Sequence, residues 1–120
     1  MDKVIATHVY RVVIPTYAEM ESKVTAMSAA VEKYLTSGSQ TDLDAACAAW
    51  RAARKPWEES EAFLYGPAYY ENLDPSLDSW PLDKDGLDQL LASNDFSSIG
   101  EEDSEDEDEA EKAQSLRGFH

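Results

Sequence analysis

Thiols are nearly absent from this 120-residue chain. A single cysteine, Cys47, excludes a disulfide within the chain and, without a second thiol, excludes a thiolate zinc site. Its place beside Ala46 on an apolar helix face leads us to expect a small core residue rather than a reactive thiol, since no neighbour in the sequence would activate it. Bases are scarce too, 10 against 25 acids, for a formal charge of −15. That balance argues against nucleic acid, which demands a basic footprint, and against anionic membrane surfaces. It leaves cations, basic partners or small ligands. No window approaches the roughly 20 apolar residues of a transmembrane segment, and no positively charged leader with a hydrophobic run and cleavage site is present. A mature exported protein with its leader removed would look the same.

What is present divides unevenly. Nine of the 11 residues from 101 to 111 are acidic, and without them 16 acids face 10 bases, a net charge of −6. With 42% hydrophobic residues, the chain supports one domain with a core of modest size. All three tryptophans and most of the unusually placed polar residues fall between positions 49 and 83.

Residues 2 to about 37 read as helix, because Val13, Tyr17, Met20, Val24, Met27, Val31 and Tyr34 recur at alternating intervals of four and three. Pro15 lacks a backbone donor and crowds the preceding turn, so residues 3–14 are expected to form a separate or kinked segment. Tyr17 and Tyr34 read as core side chains with hydroxyls at the rim, and His8 as a packed or surface residue rather than a ligand. A second helix over 41–65 is marked by Leu43, Ala46, Trp50, Ala53, Trp57 and Leu64, with Thr41 expected to start it and Gly66 to stop it. The Gly38-Ser39-Gln40 turn would join the two as an antiparallel pair.

Residues 66–82 contain Pro67, Pro75 and Pro81, a density that rules out a long regular helix. Tyr69, Tyr70, Leu73, Leu77, Trp80 and Leu82 nevertheless make an ordered loop the expectation, since a solvated connector would not carry so many large apolar side chains. Asp83 then caps a short helix at about 84–92 with Leu87, Leu90 and Leu91 on one face. A calcium loop is excluded there, because placing Gly86 at its sixth position puts Pro81 first and Ala92 twelfth. Residues of about 94–114 read as an acidic flexible insertion. After it Leu116-Arg117-Gly118-Phe119-His120 turns apolar again.

On the second helix Arg54, Glu58 and Glu61 lie three or four apart beside Trp50 and Trp57. One reading is a solvated ion pair between Arg54 and Glu58, worth about 0.3–0.5 kcal/mol. The other is a polar site walled by aromatics that takes in Arg54 and Glu61.

Three separated motifs carry a resemblance: Val13-Ile14-Pro15-Thr16-Tyr17; Trp50 to Arg54 with Trp57-Glu58 and Ser60-Glu61-Ala62-Phe63; and Asp78-Ser79-Trp80-Pro81-Leu82-Asp83. Their order and spacing resemble the imelysin family, bacterial envelope proteins described as insulin-cleaving metalloprotease-like or iron-regulated. The family signature is GxHxxE, and Gly118-Phe119-His120 resembles its first half. The resemblance therefore implies the N-terminal part of a longer protein built from two helical bundles, with a metal site near their junction. It further implies His120 and Glu61 as metal donors, with Arg54, Glu58, Asp78 and Trp80 around the ligand. A histidine and a glutamate three apart on a helix share one face, and imidazole with carboxylate suits iron or zinc without choosing between them.

The fold class expected is thus all-α, part of an up-and-down bundle: two long antiparallel helices, a proline-rich ordered loop and a short helix. Two helices rarely close a core alone, so the remainder of the same protein, or self-association, is expected to cover their seams. The leading functional expectation, by resemblance, is iron or haem uptake through metal or ligand binding in the periplasm or outer envelope. A metallopeptidase is the alternative, although no HExxH pair is present and His8 is the one other histidine, and this stretch alone would be inactive. A non-catalytic interaction module that docks a basic partner on its acidic segment is the third.

Overall fold

The structure, a computed structural model, describes residues 1–97, 99 and 107–119. Among them all regular structure is helical, and the chain divides into two compact regions, Met1–Phe63 and Leu64–His120.

In the first region, α1 (Asp2–His8) runs through a π-helical turn at Val9–Val13 into α2 (Ile14–Ser37). Of the separate or kinked segment expected ahead of Pro15, the structure shows a π-helical distortion without a break: Val9, Val13 and Ile14 all keep right-handed helical dihedrals. The proline ring crowds the carbonyl four residues back, at Arg11, and the wider π turn at that point absorbs the mismatch while the helix continues. Gly38 then takes a left-handed φ of 61° and its N–H closes on the Tyr34 carbonyl at 2.8 Å, which ends α2.

Helix α3 spans Gln40–Ser60. Its start differs from the expected Thr41: the cap is Ser39, whose hydroxyl accepts from the Asp42 N–H at 3.1 Å. The Asp42 carboxylate in turn accepts from the hydroxyls of Ser37 at 2.6 Å and Ser39 at 2.8 Å and pairs with Lys33 Nζ at 2.6 Å. Lys33 foremost, then Ser37 and Ser39, hold this carboxyl down at about 2, against 3.8 normally. The same cluster ties the end of α2 to the beginning of α3.

The buried face of α3 carries Asp42, Ala46, Ala53, Pro56, Trp57 and Ser60. Cys47 is exposed, not core as expected, because one further residue turns a helix by about 100° and carries it off the Ala46 stripe. The helix also stops short of Gly66. The Ser60 hydroxyl donates back to the Trp57 carbonyl at 2.7 Å, and the chain tightens into a 3-10 turn at Glu61–Phe63. Pro56, inside α3, has already removed one rung of the ladder a turn earlier.

Helices α2 and α3 pack against one another, as their shared rhythm implies. The α2 seam is only half covered: no residue of α2 is buried, and Val24 and Val31 each keep 39% of their surface exposed. Phe63 closes the end of the first region, with the rings of His8 and Tyr17 edge-on to it at 6.1 and 5.7 Å.

The second region is built from short pieces. Residues 66–82 hold two brief helices, α4 (Pro67–Tyr70) and α5 (Leu73–Leu77), separated by Asn72 in the left-handed conformation. Pro67 occupies the first helical position of α4, where a missing N–H costs nothing. The Trp80–Pro81 peptide bond is cis. Helix α6 (Lys84–Ser93) starts as expected from Asp83, whose carboxylate accepts from the Gly86 N–H at 3.0 Å. A side chain at position 86 would strike that carboxylate and reach within 2.9 Å of Leu116, which accounts for the glycine.

Of the span of about 94–114 expected as an acidic flexible insertion, residues 100–106 lie outside the described residues, and Glu107–Ser115 form helix α7. The alanine at 113 and the leucine just past the helix are buried, so an apolar edge gives α7 a reason to pack despite its charge. Leu90, Ala113 and Leu116 form the small core of this region.

Candidate functional site

The expected site residues fall into two groups, one in each region. In the first, α3 places Arg54 one turn from both Trp50 and Glu58. The guanidinium lies over the Trp50 ring, 5.4 Å from its centroid, and its Nη2 forms an ion pair with Glu58 Oε1. The Arg54 side chain is 28% exposed against 47% for Glu58, so the pair sits at the rim rather than in the core. Arg54 Nε is buried without a hydrogen-bond partner among the described residues. This pair is the local i,i+4 contact of the first reading, with the Trp50 ring against the guanidinium. Glu61 follows on the 3-10 turn and is exposed.

The second group is organised by backbone. Residues 115–117, leaving α7, run beside residues 79–83: the Ser79 N–H donates to the Arg117 carbonyl at 3.0 Å, and the Asp83 N–H to the Ser115 carbonyl at 3.1 Å. Gly118 consequently approaches Leu82 and Asp78. A Cβ at that position would lie 3.3 Å from Leu82 Cδ1 and 3.7 Å from Asp78 Oδ1. Two expected elements are thereby brought together, the Asp78-to-Asp83 motif and the Gly118-Phe119 start of the signature. His120 lies outside the described residues. Trp80, expected as part of a wall, is 88% exposed.

Sequence reasoning passed over the Arg117 side chain. Its Nη2 donates to the Ile99 carbonyl at 2.6 Å and its Nη1 to the Ser76 carbonyl at 3.4 Å. Nothing in the sequence flags these partners, because both acceptors are main-chain oxygens, 18 and 41 residues away. Nearby, Gln114 Nε2 lies 3.4 Å from the Ser76 hydroxyl, further linking α7 to α5.

Separate from both groups, the second region has a cleft of about 340 Å³ between α6 and α7, with Gln89, Ser93, Asp95 and Lys112 among its polar lining. The hydroxyl and the N–H of Ser97 both bond to the Asp95 carboxylate and hold it below the usual carboxylate range. None of the expected site residues lines it.

Among the described residues no three His, Cys, Asp or Glu side chains come together in a way that could hold a metal ion. They do not by themselves make a metal centre. No described helix is long and apolar enough to cross a membrane.

The family profile described as Imelysin (peptidase M75) matches residues 13–120. Iron-regulated protein A of Synechococcus elongatus is 39% identical over 77 residues, 64% of this chain and 22% of that protein. A crystal structure described as an iron-regulated protein A precursor from Parabacteroides distasonis is 54% identical with a TM-score of 0.82, over 98% of this chain and 31% of that one. An imelysin peptidase from Bacteroides ovatus is 44% identical with a TM-score of 0.78, over 91% of this chain and 31% of that one. The chain thus spans about a fifth of the curated relative it matches and under a third of each solved chain.

Proposed function

The chain belongs to the imelysin family, and on that premise we propose that it is one part of an iron-linked bacterial envelope protein that binds iron or haem. His120 and Glu61 are the donors proposed for the metal. An imidazole and a carboxylate would supply a mixed nitrogen and oxygen set that suits iron, with zinc as the other candidate. Arg54 is held in place by Trp50 and Glu58 and would orient a carboxylate or meet an anionic group of the ligand; Asp78 and Trp80 are proposed as the adjacent wall. The periplasm or outer envelope is the proposed location. The half-covered seam of α2 favours the remaining length of the protein as its cover.

The observation that carries this reading is the docking of residues 115–118 on residues 78–83. It brings a carboxylate beside the backbone two residues ahead of His120. The test is titration of the protein in its natural length with iron. Saturable binding that is lost in Glu61→Ala and in His120→Ala is expected, and binding unchanged in both would remove the proposed site.

The likeness to an imelysin peptidase favours a second reading, a metal-dependent peptidase. In that case the natural-length protein cleaves a peptide panel, loses the activity to a chelator and regains it with metal. Iron binding without cleavage at any metal loading leaves the binding role alone.

A further inference from the structure

We propose that Arg117 is a positioning residue: by clamping two distant main-chain carbonyls it sets the path along which Gly118 and Phe119 leave α7. The inference rests on the binding role above only for its consequence, since the clamp itself is a matter of geometry.

Four contacts converge on three consecutive residues. The Ser115 carbonyl accepts from Asp83 N–H, and the Arg117 carbonyl accepts from Ser79 N–H. The Arg117 guanidinium reaches in two further directions, to the carbonyl of Ser76 in α5 and to that of Ile99 ahead of the acidic run. A guanidinium is suited to this, because its donors are fixed in one plane and stay charged at any pH the protein meets. Lysine in its place could satisfy either carbonyl, but not both in the same geometry. The Ile99 bond, at 2.6 Å, is the shorter and hence the stronger of the two.

The clamp matters for the next residue. Gly118, though exposed, has Leu82 and Asp78 against one side, so its backbone can swing only away from them once Arg117 is fixed. Leu116 is buried just before the clamp and Phe119 is half-buried just after it, while Gly118 between them has no side chain to bury. At Gly118 itself direction therefore comes from hydrogen bonds, with the Arg117 side chain supplying two of the four.

Hydrogen exchange on the natural-length protein is the primary test, comparing wild type with Arg117→Ala and Arg117→Lys. The amides of Ser79 and Asp83 report directly on whether residues 115–117 stay docked, and the Leu87 amide, bonded to the Asp83 carbonyl within α6, is the internal control. In Arg117→Ala the Ser79 and Asp83 amides should exchange about tenfold faster, with Leu87 unchanged and Arg117→Lys in between. Unchanged exchange at Ser79 overturns the inference, and so does an equal rise at all three amides, which marks a merely structural role. If Arg117→Ala does not fold, the lysine variant decides alone, with a rise confined to Ser79 and Asp83 as the supporting result. A second measurement, titration with iron alone, should show weaker binding in Arg117→Ala, partly restored in Arg117→Lys. Faster exchange with wild-type affinity overturns the positioning role, whereas a wild-type protein that binds no iron counts against the binding role and leaves the exchange result to decide the clamp.

Discussion

The two regions of this chain are held by different forces. Residues 1–63 form a hairpin of long helices whose contacts repeat every three or four residues, stitched at the turn by one buried carboxylate. Among the described residues of 64–119 no helix is longer than the 10 residues of α6, and what organises them, beside the small core of Leu90, Ala113 and Leu116, is two main-chain hydrogen bonds and the two Arg117 side-chain bonds between groups far apart in sequence. The contrast teaches that a region can be ordered without being periodic. A helical hairpin spreads its stabilisation over many similar apolar contacts, so single losses are graded. A region laced by a few specific bonds concentrates it, so losses are local and abrupt.

Core truncations press hardest on this comparison. Trp57→Ala should destabilise the first region by about 3–5 kcal/mol and Leu116→Ala the second by about 2–5 kcal/mol, read from denaturant unfolding. Peptide-level hydrogen exchange should place the first loss within 1–63 and the second within 64–119. If both substitutions open both regions equally, the division between them fails.

A smaller effect is expected at the turn. Ser39→Ala removes the acceptor for the Asp42 N–H and should cost about 1 kcal/mol, seen as a lower denaturation midpoint at constant slope. Ser39→Thr should recover most of it, because it keeps a hydroxyl that accepts from the Asp42 N–H and donates to the Asp42 carboxylate. Full stability in Ser39→Ala would return the cap to Thr41.

The same turn should respond to acid. The folded Asp42 titrates near 2, below its ordinary 3.8, so its contribution is complete above the ordinary value and is lost as pH falls from about 4 through 2. Thermal unfolding against pH should therefore show a decline in that window that Asp42→Asn flattens. An identical acid profile in the variant would mean that Lys33, Ser37 and Ser39 do not hold the carboxyl in solution.

Smallest of all is Arg54→Ala, which removes a rim ion pair and its stacking on Trp50 and should cost about 1 kcal/mol or less. Its value lies in the comparison with binding. If the substitution weakens iron or haem binding far more than it weakens folding, Arg54 serves the ligand rather than the hairpin.

Much of the first region was legible beforehand, for an identifiable reason. Val13, Tyr17, Met20, Met27 and Tyr34 repeat with the helix, and Gly38 marks its end, so residue types carry the signal. The errors sit where neighbours compete. Ser39 captures the cap from Thr41 because it stands one turn ahead of the Asp42 N–H, and Ser60 ends α3 early by bonding back to Trp57. Cys47 was misplaced by a single step around the helix. Of the candidate site, the i,i+4 relation of Arg54 and Glu58 was readable, whereas the approach of Gly118 to Asp78 was not.

What the amino-acid order alone determined is the helical class, the hairpin and the Asp83 start of α6, all of which depend on residues within about one turn of each other. Only the tertiary structure decided how residues 115–119 meet residues 76–83 and where the Arg117 side chain goes. Every residue has a carbonyl, so no pattern of side chains announces which oxygen a distant donor will reach.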